Sequence, residues 1–165
     1  MPFLKLGIEN TFRFWQNVED LSIKANLKAA SPIFLKKGRI VFATQVMLRP
    51  KNRLKYFSNL GSNNKLRFLP ANFLSGNNDF TMNIEARSLS VPILGTYTGA
   101  VMFYDIGDAF NKFKDIYIYQ GVGLGLRILI PSLNRSVIRF DYAIPIFANG
   151  KTREFVPSIS FKQAF

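Results

Sequence analysis

Apolar and polar residues alternate along most of this chain, and the alternation recurs in eight segments. A clear example sets four apolar residues against three glycines and an arginine: Val122, Leu124, Leu126 and Ile128 against Gly121, Gly123, Gly125 and Arg127. Strict alternation indicates β-strands with one apolar and one polar face. No segment shows a comparable helical period. We therefore predict an all-β, antiparallel fold of about eight strands.

The length of these segments bears on which face meets water. Each runs for about 10–13 residues, which at about 3.4 Å per residue and a tilt near 45° spans roughly 25–30 Å. Large aromatics (Phe14, Phe155, Phe165) lie near strand ends, and charges occupy the polar face of the strands. This is typical of a transmembrane β-barrel, with an apolar face toward lipid and a polar face toward the lumen. A soluble β-sandwich with charged outer faces remains the alternative.

The connections alternate between short and long. Short turns are predicted at 30–37, 91–95 and 131–133, and a long segment spans about 51–78. In a barrel the short turns are periplasmic and the long loops are extracellular. We therefore expect one barrel domain over residues 1–165, with a long extracellular loop at about 51–78.

Composition narrows the chemistry. The chain has neither Cys nor His, which excludes disulfides and removes the commonest general base and metal ligand. We predict no enzyme activity, no metal and no cofactor. The net charge of +12 indicates an anionic partner. Since the aromatics and the charges lie on opposite strand faces, nucleic acid is disfavoured, and outer-membrane lipid and lipopolysaccharide are the expected partners. The N-terminal residues lack the pattern of a secretory signal, so we expect a mature chain, a fragment or a gene piece without its export signal.

Four stretches from Leu66 to Phe165 carry a family resemblance: LRFLPANFLSGNNDFTMNIEARS, GAVMFYDIGDAF, GVGLGLRILIPSLNRSVIRFDYAIPI and FVPSISFKQAF. In order and spacing they resemble the C-terminal barrel of the BamA/TamA outer-membrane assembly family, the bacterial surface antigen barrel domain. The resemblance implies an outer-membrane protein that inserts or assembles client outer-membrane proteins. Two alternatives stay open: a translocator barrel of a two-partner or patatin-type system with a secreted passenger, and a structural or lipid-binding barrel. The family's periplasmic POTRA domains are not in this chain.

The resemblance also implies site residues. Arg67 on the long loop is expected to fold into the lumen and meet Glu85 and Asp105, which both fall on the polar side of their strands. Phe68 stands where the family has the glycine after this arginine, and a glycine there permits backbone conformations that Phe68 would adopt only with strain. Lys162 stands where the family has a glycine near the end. The lumen is expected to be lined by Arg87, Arg127, Arg139, Asp141, Gly121, Gly123 and Gly125. The C-terminal barrel signal is expected at Ile159, Phe161 and Phe165.

The family barrel has sixteen strands, whereas eight are predicted here. An eight-stranded barrel has a lumen just filled by side chains, with little room for an inserted loop. We expect the C-terminal half of a sixteen-stranded barrel; a complete small barrel and a half that dimerises with a second copy remain alternatives.

Overall fold

The computed structural model describes residues 3–15, 17–32, 38–62, 65–133, 136–147 and 156–163. In these ranges the chain forms β-strands and one short 3-10 turn, Phe113–Asp115, and it forms no α-helix. The all-β, antiparallel prediction is therefore confirmed. The strands are β1 (Phe3–Trp15), β2 (Asn17–Ala30), β3 (Gly38–Asn52), β4 (Ser58–Leu60), β5 (Leu74–Gly76), β6 (Asn78–Ser88), β7 (Val91–Ile93), β8 (Thr96–Phe110), β9 (Tyr119–Ile130), β10 (Ser136–Phe147) and β11 (Val156–Gln163).

The long strands form one antiparallel meander in the order β1-β2-β3-β6-β8-β9-β10-β11. Each is paired with the strand that precedes it in this path, as expected when short connections join neighbouring strands. The short β7 pairs with β8 outside the path, and β4 pairs with β5 in a separate two-stranded sheet. No helix within the described ranges is long and apolar enough to cross a membrane.

The main sheet has two edges in the part of the chain that the structure describes. β1 is paired with β2 alone, and β11 with β10 alone. A closed barrel requires these edges to pair with each other or with further strands. Barrel closure and the total number of strands therefore remain predictions.

One face of the sheet, which we call the outer face, leaves its apolar side chains uncovered. Met102, Leu124 and Tyr142 are direct neighbours across β8, β9 and β10, and they are 61%, 61% and 51% exposed. Phe103 and Asp105, which alternate with Met102 along β8, are only 2% and 0% exposed and define the inner face. A soluble sheet normally covers its apolar face and exposes its charges, so this sheet has the reverse arrangement.

The core lies between the inner face and the segment that joins β3 to β6. Apolar side chains of that segment pack against apolar side chains of the inner face: Leu60, Leu66, Phe68, Leu69 and Leu74 against Val101, Phe103 and Ala143. The predicted loop at 51–78 also contains the small β4–β5 sheet, which its sequence did not indicate. The segment thus has its own structure and lies on the polar side of the strands.

The turn predicted at 91–95 is shorter than expected. Its first three residues form β7, which pairs with the start of β8, and the chain reverses at Leu94 and Gly95. Both residues have positive φ, 48° and 76°. Glycine adopts this conformation freely, and Leu94, which is almost fully exposed, adopts it at a steric cost.

Candidate loop-anchoring site

A tight turn in the loop carries Arg67 and Phe68 to the inner face. The turn runs from Leu66 to Leu69, whose backbone N–H donates to the Leu66 carbonyl at 3.3 Å. The Ser62 N–H also donates to the Leu69 carbonyl, at 2.7 Å, which ties the turn to the end of β4. Flanking Leu66 and Leu69 are buried, and this apolar burial holds the turn against the sheet. Arg67 and Phe68 therefore occupy the two central positions of an inserted turn.

Phe68 adopts this turn without the conformation that a glycine would have made easier. Among the described residues, the non-glycine positions with positive φ are Lys55, Ser62, Lys65, Asn72 and Leu94. Phe68 is not one of them. The backbone strain expected for a side chain at this position therefore does not arise.

The structure brings Arg67 together with Glu85 and Asp105. Arg67 Nε donates to Asp105 Oδ2 at 2.8 Å, and Nη2 donates to Oδ1 at 2.6 Å, which makes a bidentate pair. Arg67 Nη1 donates to Glu85 Oε1 at 2.6 Å. The backbone N–H of Arg67 reaches Asp105 Oδ2 at 3.2 Å as well. Paired, charge-assisted bonds of this kind fix both the position and the orientation of a guanidinium.

Two neighbours complete the surroundings of the Arg67 guanidinium. The guanidinium carbon lies 3.6 Å from the centroid of the Phe103 ring, in cation–π contact. Asn83 Nδ2 donates to Asp105 Oδ1 and to the Lys65 carbonyl, both at 2.8 Å, so one amide links the loop to the same carboxylate. Burial works against the charge of Arg67, but Asp105 and Glu85 outweigh it and raise the pKa of the guanidinium above its usual value. Arg67 is thus held as a buried cation.

The predicted lumen-lining charges share this inner face. Arg87 donates to Glu85 Oε2 from Nε at 2.7 Å, and Arg127 Nη1 donates to Asp141 Oδ1 at 2.6 Å. Asp141 Oδ2 lies 4.0 Å from Arg67 Nη1. Arg139 lines a cavity of the inner face together with Glu85, Arg87 and Asp141. The carboxylates are therefore held by guanidinium groups, which suits anchoring of the loop.

The three glycines of β9 make room for three different neighbours. A Cβ at Gly121 would lie 2.1 Å from Phe68 Cγ. A Cβ at Gly123 would lie 2.3 Å from Phe103 Cζ, and one at Gly125 would lie 2.1 Å from Asp141 Oδ1. Gly121 thus accommodates the ring of the inserted turn, whereas the other two accommodate side chains of adjacent strands.

A second anchor, centred on Asp79, was not predicted from the sequence. Ser58 Oγ of β4 donates to Asp79 Oδ2 at 2.6 Å, and Lys65 Nζ lies 3.7 Å from Asp79 Oδ1. Gln45 Nε2 of β3 donates to the same Oδ1 at 3.3 Å. Asp79 is 2% exposed and shares the parity of Asn83 and Glu85 along β6, which is the signal that would have indicated it.

The predicted C-terminal signal is only partly within the described residues. The backbone of Ile159 and Phe161 lies in β11, opposite Phe140 and Ile138 of β10. Phe155 and Phe165 lie outside the described residues, and so do the side chains of Ile159, Phe161 and Phe14. This part of the prediction stays a prediction.

No protein-family model matches the chain, and no curated protein matches it.

Proposed function

We propose that this chain forms the wall of an outer-membrane β-barrel, with its outer face against lipid and its inner face toward the lumen. The observation that carries the proposal is the uncovered row Met102, Leu124 and Tyr142, set against a charged inner face that the loop covers. Burying one large apolar side chain contributes about 1.5–3 kcal/mol. Lipid supplies that burial for a whole sheet face, as it does in membrane barrels.

The strand lengths support the same proposal. β8 has 15 residues and β9 and β10 have 12 each. At about 3.4 Å per residue and a tilt near 45°, twelve residues rise roughly 29 Å, which is close to the hydrocarbon thickness of a bilayer. Strands of soluble sheets more often have about 5–6 residues.

The inserted loop favours a wide barrel. An eight-stranded barrel is filled by its own inward side chains. Here Phe68 and Leu66 of the loop are fully buried against the inner face. The proposed barrel therefore has more strands than the eight of this meander, and sixteen is the number that the family resemblance implies. The further strands belong either to a longer chain or to a second copy.

The proposed role is insertion of client outer-membrane proteins, as in the BamA/TamA family that the chain resembles. What supports it is the convergence of separate motifs: Arg67 of the loop, Glu85 and Arg87 of β6 and Asp105 of β8 meet at one place. In the proposed role this cluster holds the long loop inside the barrel. In the proposed role, β11 is one edge of the seam at which clients would pair, and the further strands would supply the other edge.

A pair of lysine substitutions tests the membrane location. Leu124 lies in the middle of β9 on the outer face, and Leu133 lies in the turn after β9; they are 61% and 57% exposed. In vesicles, Leu124→Lys should lower the free energy of unfolding by about 2–4 kcal/mol, since a lysine at bilayer mid-depth costs about that much. Leu133→Lys, outside the membrane-spanning strand, should change it little.

The readout is urea unfolding in vesicles, followed by heat-modifiable migration in detergent gels. In a soluble sheet, both lysines should change the free energy of unfolding by a similar, small amount, because exposed substitutions usually change it by less than about 0.5 kcal/mol. Equal effects of Leu124→Lys and Leu133→Lys would therefore refute the membrane proposal.

The insertion role has its own assay. A second outer-membrane protein, unfolded in urea, is added to vesicles that contain this protein, and its folding rate is measured. We expect faster folding than in vesicles that contain an unrelated barrel of similar size, and a smaller acceleration with Arg67→Ala. Equal rates with this protein and with the unrelated barrel would refute the role.

A further inference from the structure

Arginines face each other on adjacent strands of the inner face. In the register of β9 and β10, Arg127 lies directly opposite Arg139, and in that of β3 and β6, Arg39 lies directly opposite Arg87. Like charges directly opposite one another destabilise a sheet. Both pairs lie near the short-turn end of their strands, so this end of the inner face carries a concentration of positive charge.

The nearby carboxylates are already engaged elsewhere. Glu85 accepts from Arg67 through Oε1 and from Arg87 through Oε2. Asp141 Oδ1 accepts from Arg127, and Asp141 Oδ2 faces Arg67 at 4.0 Å. Arg139 makes no ion pair with any described residue. Among the described residues, no carboxylate therefore pairs directly with Arg139.

Two guanidinium nitrogens of this cluster have no acceptor among the described residues. Arg139 Nε and Arg127 Nη2 are buried and make no hydrogen bond within the described part of the chain. Buried polar groups nearly always have a partner, and a donor without one costs free energy. Two such donors on opposed arginines indicate that an acceptor group belongs beside them.

A cavity of about 280 Å³ adjoins the cluster. Its charged lining consists of five cations and two carboxylates: Lys28, Lys65, Arg67, Arg87 and Arg139, with Glu85 and Asp141. Asp105 and Asp79 pair with Arg67 and Lys65 from outside this lining, and Arg127 pairs with Asp141. With these groups included, the cluster has six cations and four carboxylates. A carboxylate would offset one of the two surplus positive charges, whereas a phosphate dianion would offset both. Phosphate oxygens also match the forked donors of arginine.

We infer that this cavity binds a phosphate group, with Arg139 as its main ligand. The ligand is either free phosphate or the phosphomonoester of a lipid. The site uses side chains, and it is separate from the glycines of β9, which lie within a strand and offer no converging backbone amides. The inference concerns the inner face alone and goes beyond the proposed insertion role.

Thermal unfolding in a nonionic detergent tests the site. Inorganic phosphate should raise the melting temperature of the wild-type protein in a saturable way, beyond the effect of sodium chloride at equal ionic strength. Arg139→Gln should weaken the apparent phosphate affinity by about tenfold or more, because it removes a charge-assisted ligand. Arg53→Gln, at an exposed arginine of the long loop that does not line the cavity, should leave the phosphate response unchanged.

Phosphate binding is refuted if wild type shows no response beyond that to chloride, or if Arg139→Gln responds as wild type does. Should Arg139→Gln fail to fold, Arg139→Lys keeps the charge, loses the fork and should show a weakened response. Vesicles of phosphatidylcholine with and without phosphatidic acid distinguish the sources. Loss of the response to free phosphate in the presence of phosphatidic acid supports a lipid ligand; an unchanged response supports the free anion. The phosphate titration requires only the folded inner face, whereas the comparison of Leu124→Lys with Leu133→Lys tests the membrane location. Either test can therefore fail while the other succeeds.

Discussion

Replacing Arg67 by alanine is the sharpest perturbation of the loop anchor. The change removes three side-chain donors from two buried carboxylates, Asp105 at 0% and Glu85 at 8% exposure. Removing one partner of a buried ion pair usually costs about 3–5 kcal/mol, because the remaining charge stays desolvated. Loss of the cation–π contact with Phe103 adds about 0.5–2 kcal/mol. Against a typical total stability of about 5–15 kcal/mol, the loss is large.

The cost should depend on the charges left behind as well as on the lost contacts. Arg67→Lys keeps the charge but not the bidentate geometry, so an intermediate loss is expected. The triple variant Arg67→Met, Glu85→Gln and Asp105→Asn removes the charges together and should recover part of the stability of Arg67→Ala. Arg53→Ala, at an exposed arginine of the same loop, is the control and should cost less than about 1 kcal/mol, because contacts of exposed charged side chains contribute little.

Two measurements follow these variants. Urea unfolding in detergent gives the free energies, and limited proteolysis reports whether the segment 51–78 leaves the inner face. We expect Arg67→Ala to be cleaved in this segment under conditions where wild type is not. If Arg67→Ala is as stable and as protected as Arg53→Ala, then the cluster does not anchor the loop.

Two further predictions concern the contacts around the inserted turn. Gly121→Ala should lower the free energy of unfolding by about 1–3 kcal/mol, because the added methyl group overpacks against Phe68, and it should lower it much less in a Phe68→Ala background. Gly99→Ala is the control and should have a mild effect, since the nearest contact of its Cβ is at 3.2 Å. Equal effects of Gly121→Ala in both backgrounds would contradict the contact with Phe68. Asp79→Asn should lower the free energy of unfolding by about 1–3 kcal/mol and increase proteolysis near β4, while the chain around Arg67 stays protected from cleavage. Unchanged cleavage near β4 would mean that Asp79 does not anchor the loop.

Alternation predicted the long strands because a period of two is a local property of the chain. It predicted them best where one face is consistently apolar, as in β9 and β10. It gave no sign of β4, β5 or β7, which have three residues each and are set by contacts with distant segments. It also gave no number of strands for a barrel, since alternation specifies faces and not closure.

The same division holds for the site. Parity along β6 and β8 is enough to assign Glu85 and Asp105 to the polar face. Asp79 and Asn83 share that parity, but their partners come from distant parts of the chain: Ser58 and Lys65. The opposite lesson comes from Phe68, which was expected to strain the backbone and instead fills the space left by Gly121. Such long-range complementarity has no signature in local spacing.

The central claim is that the outer face of this sheet meets lipid, and spin-label accessibility tests it most directly. The chain has no cysteine, so single substitutions can be labelled without further changes. Met102→Cys lies on the outer face, and Ala43→Cys lines the polar cavity of the inner face. In vesicles, we predict that the label at 102 collides preferentially with oxygen, which concentrates in lipid. The label at 43 should collide preferentially with a water-soluble nickel complex. Water-like accessibility at both positions would contradict the account.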